Sequence, residues 1–362
     1  MSKRTFRERL SPFLRAKLSL LARELGENSP TYLGLARQYL WDEREDQDGP
    51  ESNSRHYDAE VMISGPDDEN PRGMERLYRR TLVIEPTMAC LANCRFCLRS
   101  NYPRHTLTEN ELIAIAKYCG LNKNRDTLNE VLITGGDPLT IPYRVGILLE
   151  ALIEYAPNIR IVRLATRIPT QDPDRIDDDV LALFRNKPGL RFELATQINH
   201  PVELSFEETR SAFERVSKAG VRIYSQNVLL KGVNDDIEIL IDLYDALRLN
   251  NIEAHYLFHA IPMQGTHHLR CSLEKGLRLA RSLTSCGRIS GRAKPMFAAM
   301  TEIGKITLYE GSIIARDKDR VLLNSNYKLA ERLAWNPSFK VPPAGVVSST
   351  GHLQVWYLDG TD

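Results

Sequence analysis

Apolar residues recur at helical spacing from Ser11 to Trp41 with a break between Gly26 and Pro30, so two helices joined by a short turn open the chain. Residues 42–70 turn acidic and polar, punctuated by Pro50, Gly65 and Pro66, which predicts an exposed connecting loop. From residue 81 the pattern alternates. Strand-like runs at 81–86, 130–134, 159–165, 191–196, 221–228 and 253–259 are separated by helical patterns near 108–119, 143–156, 176–185, 205–219, 235–249 and 272–285. Alternation of this kind predicts parallel strands joined by right-handed crossovers. The fold class is therefore α/β, a partial (β/α)6 barrel of TIM type. Thr108-x-x-Glu111 and Ser205-x-x-Glu208 both fit the capping box, and Gly220 closes the second of these helices. Gly311 to Leu323 reads as a hairpin with a charged turn, and Gly345 to Leu358 as a second. The division that follows is a helical extension and loop over 1–72, a core over 73–305 and a strand-containing extension over 306–362.

Composition narrows the function classes. A formal charge of +1 over 362 residues gives no global field to recruit nucleic acid or an anionic membrane. No apolar run approaches the roughly 18 residues that span a bilayer, and no signal-peptide core follows Met1-Ser2-Lys3-Arg4. The expected location is the cytoplasm, where thiols stay reduced and six cysteines do not imply disulfides. Cys119, Cys271 and Cys286 are scattered singly and read as small buried hydrophobes.

The other three cysteines carry the chemistry. Cys90, Cys94 and Cys97, spaced C-x3-C-x2-C, follow directly on the apolar run Thr81-Leu82-Val83-Ile84-Glu85-Pro86. Three thiolates on one short loop can converge on one metal centre. A structural zinc site wants four protein ligands, whereas a [4Fe–4S] cube held by three cysteines leaves one iron open. The blander readings are a zinc completed by a distant histidine and a chance cluster. After the second strand comes Thr134-Gly135-Gly136-Asp137-Pro138, where two glycines allow a close backbone approach to a ligand and Asp137 can accept hydrogen bonds. The basic cluster from Arg72 to Arg80 reads on pattern alone as a solvated face. Lys305, taken singly, reads as a surface lysine, and His267 and His268 as structural loop histidines.

The cysteine loop, with Phe96 before its last cysteine, resembles that of the radical S-adenosylmethionine (SAM) enzymes, and Gly135-Gly136-Asp137 resembles their segment that holds the SAM amino group. Arg163 to Pro169, Ala195 to Leu204, Ser225 to Asp235, Gly265 to Arg270 and the surroundings of Lys305 resemble the lysine 2,3-aminomutase family, over roughly residues 75–325. The resemblance implies a [4Fe–4S] cluster on Cys90, Cys94 and Cys97, SAM, pyridoxal phosphate, and an external donor of flavodoxin or ferredoxin type. It implies that Lys305 is the Schiff-base lysine, that Arg76 and Arg80 hold the phosphate, and that Arg99 grips the substrate carboxylate. Asp137, Thr166 and Gln226 fall at SAM-pocket positions. The implied reaction is a radical 1,2-amino migration on a free amino acid, with elimination, desaturation and modification of a protein side chain as alternatives; a homo-oligomer fits the family. Ile261 and Met300 stand where the lysine enzymes place two aspartates, so free lysine is not the expected substrate. Gln197 replaces a family histidine, Asp236 stands in place of a zinc-ligating cysteine, and no structural zinc is expected.

Overall fold

One open, curled sheet of nine strands forms the body of the molecule. It begins with the two-residue strand β1 (Met74–Glu75), antiparallel to β2 (Thr81–Thr87). From β2 the chain continues through β3 (Glu130–Gly135), β4 (Ile161–Ala165), β5 (Arg191–Thr196), β6 (Arg222–Leu229), β7 (Glu253–His259) and β8 (Met296–Thr301), all parallel and in chain order. It closes on β9 (Gly304–Thr307), antiparallel to β8. This computed structural model describes residues 7–47, 71–101, 104–185 and 187–362. The six strand runs read from the sequence are all present. The seventh parallel strand and both antiparallel edges go beyond that reading, because Met296–Thr301 is alanine-rich and β1 and β9 are too short to show a period.

Strand geometry assigns the two faces. Successive side chains point to opposite sides. On β3, Val131 and Ile133 face the helices, while Leu132 and Thr134 face the interior cavity. On β4, Val162 and Leu164 face out, and Arg163 and Ala165 face in. The helices at Glu109–Cys119, Pro142–Tyr155, Glu207–Lys218, Ile237–Leu249 and Leu273–Ser285 cover the outer face and bury Leu112, Ile115, Leu148, Leu152, Phe213 and Leu240 completely. Each such side chain contributes roughly 1.5–3 kcal/mol of transfer free energy.

The box at Thr108 forms as read: Thr108 Oγ1 accepts from Glu111 N (3.3 Å) and Glu111 Oε2 from Thr108 N (2.8 Å). The box at Ser205 does not. Its hydroxyl donates back to Val202 O at 2.8 Å, and the helix starts after Phe206 without a side-chain cap. Pro201 instead fixes a helical start six residues earlier, where Glu203 Oε1 accepts from the amides of Asn199 (2.7 Å) and His200 (3.1 Å).

The amino-terminal helices, Pro12–Leu25 and Pro30–Ala36, are capped by Ser11 and Ser29. Leu14, Leu18, Leu21, Leu35 and Tyr39 pack with Ala92, Val202 and Phe206, which sets the pair against the cysteine loop. Part of the loop expected to be exposed is not: Glu45, in the turn Glu43–Asp46, buries its carboxylate against Arg95, with side-chain exposures of 0% and 1%. Residues 48–70 of that loop lie outside the described residues.

The two carboxyl-terminal hairpins join into one antiparallel sheet of β10 (Ile313–Asp317), β11 (Arg320–Leu323), β12 (Gly345–Val347) and β13 (Leu353–Leu358), in the order β10-β11-β13-β12. A core boundary drawn at residue 305 cuts through β9, which ends at Thr307. Among the described residues no helix is long and apolar enough to cross a membrane.

Candidate active site

A single cavity of about 780 Å³ fills the barrel interior and reaches the carboxyl ends of the strands. That end is where barrels of this type place their chemistry. Cys90, Cys94, Cys97, Arg99, Gly135, Gly136, Asp137, Thr166, Gln226 and Lys305 all line it. The structure therefore brings together residues spread over 216 positions of sequence.

The cysteine wall hangs from β2. Gly136 N donates to Thr87 O (2.7 Å) and Asp137 N to Ala89 O (2.8 Å), so the glycine segment is zipped onto the backbone that leads into the cysteine loop. A Cβ at Gly136 would stand 2.2 Å from Ala89 O, and one at Gly135, whose φ is +105°, would stand 2.5 Å from Thr87 O. Only glycine allows that approach. The close approach expected here toward a ligand is thus made first toward the cysteine loop itself.

Asp137 is buried and fully engaged. Its carboxylate accepts from Thr166 Oγ1 (2.8 Å to each oxygen), Arg167 N (2.8 Å) and Leu139 N (3.1 Å), clipping the end of β3 to the end of β4. Burial pushes its pKa up to about 6, against the pull of these donors.

Cys94 Sγ accepts from Arg167 Nη1 at 3.0 Å and lies 3.6 Å from Gln171 Nε2. Arg167 Nη2 donates to Glu203 Oε2 (2.7 Å) and Gln38 Oε1 (3.0 Å). The amino-terminal segment clamps the same loop: Asn93 N donates to Arg9 O (2.9 Å), Asn93 Nδ2 to Arg7 O (2.8 Å) and Arg95 N to Gln38 O (2.8 Å). Among the described residues no three ligating side chains close on one point. The donor chemistry nonetheless fits a cationic iron centre. Burial holds the Cys90 thiol well above the usual range, and Cys97, Asp137 and Cys94 push it further the same way. A bound cation would relieve that crowding of potential anions.

The lysine wall is built differently. Lys305 lies on β9 just after Gly304, whose φ is +125° and whose missing side chain leaves room for the Tyr327 ring. Lys305 N donates to Tyr78 Oη (2.9 Å), and Tyr327 Oη donates to Lys305 O (2.8 Å). The ammonium lies over Tyr256 (5.2 Å to the ring centre), Phe258 (5.7 Å) and Tyr78 (6.0 Å). Burial, helped by Arg163, pushes its pKa down to about 8. His255, beside it on β7, is pushed down to about 4 by burial and then by Lys305 and Arg163. Sequence reasoning missed Arg163, His255 and the three rings; the strand period that points Arg163 inward was the one signal available.

Two of the assigned roles meet competing contacts. Arg76 is buried outside the cavity, donating to Asn124 Oδ1 (2.7 Å), Thr127 Oγ1 (3.0 Å) and Arg79 O (2.9 Å), and Arg80 is exposed. Neither lines the cavity. Arg99 does line it, but its Nε donates to Glu85 and its Nη2 lies 3.5 Å from Glu75 Oε2, so a substrate carboxylate would compete with two resident ones. His267 and His268 lie outside the lining, in one short turn with their rings against each other. Asp236 caps the helix Ile237–Leu249. Ile261 and Met300 line the cavity and pack with Leu77, Tyr78 and Leu98.

Residues 84–244 match the sequence profile of the Radical SAM superfamily. A curated protein of Aquifex aeolicus, provisionally named an L-lysine 2,3-aminomutase, is 33% identical over 245 residues, covering 65% of this chain and 64% of that protein. The L-lysine 2,3-aminomutase of Clostridium subterminale is 27% identical over 277 residues, 76% of this chain and 65% of that one. The glutamate 2,3-aminomutase of Clostridioides difficile is 29% identical over 261 residues, 71% and 60% respectively. The chain thus spans less than two thirds of the length of these relatives.

Proposed function

Because the chain belongs to the radical SAM superfamily, in its lysine 2,3-aminomutase-like branch, we propose that it moves an amino group between adjacent carbons of a free amino acid whose side chain is uncharged. The family implies a [4Fe–4S] cluster and SAM. The observation that carries the reading is one cavity with three thiols on one wall and a buried, depressed-pKa lysine on the other.

In this reading Cys90, Cys94 and Cys97 hold the cluster, and SAM lies along Gly135, Gly136, Asp137, Thr166 and Gln226. Lys305 holds pyridoxal phosphate. Together these groups supply a one-electron cleavage of SAM and a conjugated system that stabilises an unpaired electron beside nitrogen. The chain supplies the rest. A lysine with pKa about 8 is neutral in a useful fraction of molecules near neutral pH, and the neutral amine is the form that attacks a carbonyl. Tyr78, Tyr256 and Phe258 exclude water around it. Leu77, Leu98, Ile261 and Met300 offer an apolar cluster and themselves carry no charge to compensate a buried ammonium, which argues against lysine as substrate.

Anaerobic reconstitution followed by an absorption spectrum with pyridoxal phosphate tests this directly. A borohydride-sensitive band present in the native chain and absent in Lys305→Ala is expected. In a 5′-deoxyadenosine assay, uncharged amino acids should outpace lysine. A loaded cluster with no such band would overturn the pyridoxal phosphate assignment, and a preference for lysine would overturn the substrate class.

A further inference from the structure

Arg167 follows Thr166 at the carboxyl end of β4 and reaches across the cavity wall. Its guanidinium is buried between the rings of Tyr39, 5.1 Å from the ring centre, and Phe96, 5.7 Å away. Each nitrogen at its tip has a different task. Nη2 is held by Glu203 Oε2 and Gln38 Oε1, while Nη1 is left to point at Cys94 Sγ, 3.0 Å away. One turn further on, the Gln171 side-chain amide approaches the same sulfur at 3.6 Å. Backbone contacts fix the approach, since Arg167 N donates to the Asp137 carboxylate and Gln171 N to Arg167 O. Two N–H donors, one of them cationic and out of water, therefore converge on a single cysteine sulfur.

We propose that Arg167 and Gln171 are positioning residues for Cys94 as an iron ligand, holding its sulfur by N–H donation and raising the reduction potential of the cluster bound there. The proposal rests on the radical SAM reading of the cysteine loop. Its physical basis is that negative charge on the ligating sulfurs grows when the cluster accepts an electron. A donor aimed at sulfur, and more so a buried cation, stabilises the reduced form over the oxidised one. The low local dielectric enlarges the effect, and Glu203 offsets it only in part, because it binds the nitrogen turned away from the sulfur. Gln38 belongs to the amino-terminal segment, so the same network ties that segment to the cluster ligand.

The test is a redox titration of the anaerobically reconstituted full chain, followed by electron paramagnetic resonance, with dithionite as reductant and iron and sulfide counted per chain. Gln171→Leu removes one donor without unpairing a charge. It should load as the native chain does and give a more negative midpoint. Arg167→Met paired with Glu203→Gln removes both buried charges together and should shift the midpoint further the same way. Arg167→Lys, which keeps a cation and a donor, should lie between that pair and the native chain. Midpoints of loaded variants equal to the native one would overturn the proposal. If the paired variant fails to fold or load, Gln171→Leu decides alone, and an unchanged midpoint there overturns it. Failure of the native chain to take up iron would instead sink the radical SAM reading, so the two failures are distinct.

Discussion

The two walls of the cavity treat buried charge in opposite ways. On the cysteine wall the buried ions have polar partners: Arg95 with Glu45, Arg167 with Glu203, and Asp137 with hydroxyl and amide donors. On the lysine wall Lys305 has aromatic rings around its ammonium and, among the described residues, no carboxylate partner. Pairing keeps charges where they are and fixes geometry. Burial without pairing makes the charge itself unstable and turns an ammonium toward the amine. A rigid ligand loop and a reactive amine need those two treatments respectively, and one cavity supplies both.

The largest effect should come from removing a thiol. Cys94→Ser, or the same change at Cys90 or Cys97, should abolish iron loading and lower 5′-deoxyadenosine formation roughly 1,000-fold or more, as expected for members of a group that act as a unit. Cys119→Ala is the control, because Cys119 is buried in the helix-side core away from the cavity. Equal iron content in Cys94→Ser and Cys119→Ala would remove the functional distinction between cavity and core thiols.

Next in size is the clamp. Glu45→Ala leaves Arg95 charged and buried, a change that typically costs about 3–5 kcal/mol. Denaturant unfolding should record that loss. Iron loading should fall with it, since Arg95 sits between Cys94 and Cys97. An unchanged midpoint of unfolding would mean that the amino-terminal segment rests on the cysteine wall without holding it.

The difference between the walls also explains what the sequence could tell. The cysteine loop, the Gly135–Asp137 segment and the Thr108–Glu111 box are local: spacing within a few residues carries their geometry. The alternation of strands and helices was legible because each parallel strand is buried on its helix-facing side, which imposes a period. Glu45 meets Arg95 across 50 positions and Gln38 meets Glu203 across 165, and no short pattern encodes such pairs. An acidic residue in a polar stretch reads as exposed until its partner is known. Lys305 had the reverse problem. Its neighbours Tyr78, Tyr256 and Phe258 come from the segment before β2 and from β7, so its aromatic box exists only once the sheet has curled. For Arg76 and Arg80 the spacing gives proximity along the chain and not direction: one guanidinium turns to Asn124, and the other residue is exposed.

The smallest effect separates the walls most cleanly, because it has the opposite sign. Lys305 has a pKa of about 8 in the folded chain against 10.5 in the unfolded one, so the unfolded state binds more protons between those values. Stability attributable to this group therefore rises as pH climbs from about 8 to 10.5, and its full cost is present below 8. At about 1.4 kcal/mol per unit the net cost of the charged form at pH 7 is roughly 3 kcal/mol, with the contacts to the three rings already included in the folded-state value. Lys305→Met should thus stabilise the apo chain by about 3 kcal/mol at pH 7, and the gain should fade by pH 10.5. Urea unfolding of both chains across that range measures it. A loss of stability in Lys305→Met at pH 7, like that expected for Glu45→Ala, would mean that Lys305 is held by a partner after all and that the two walls are built alike.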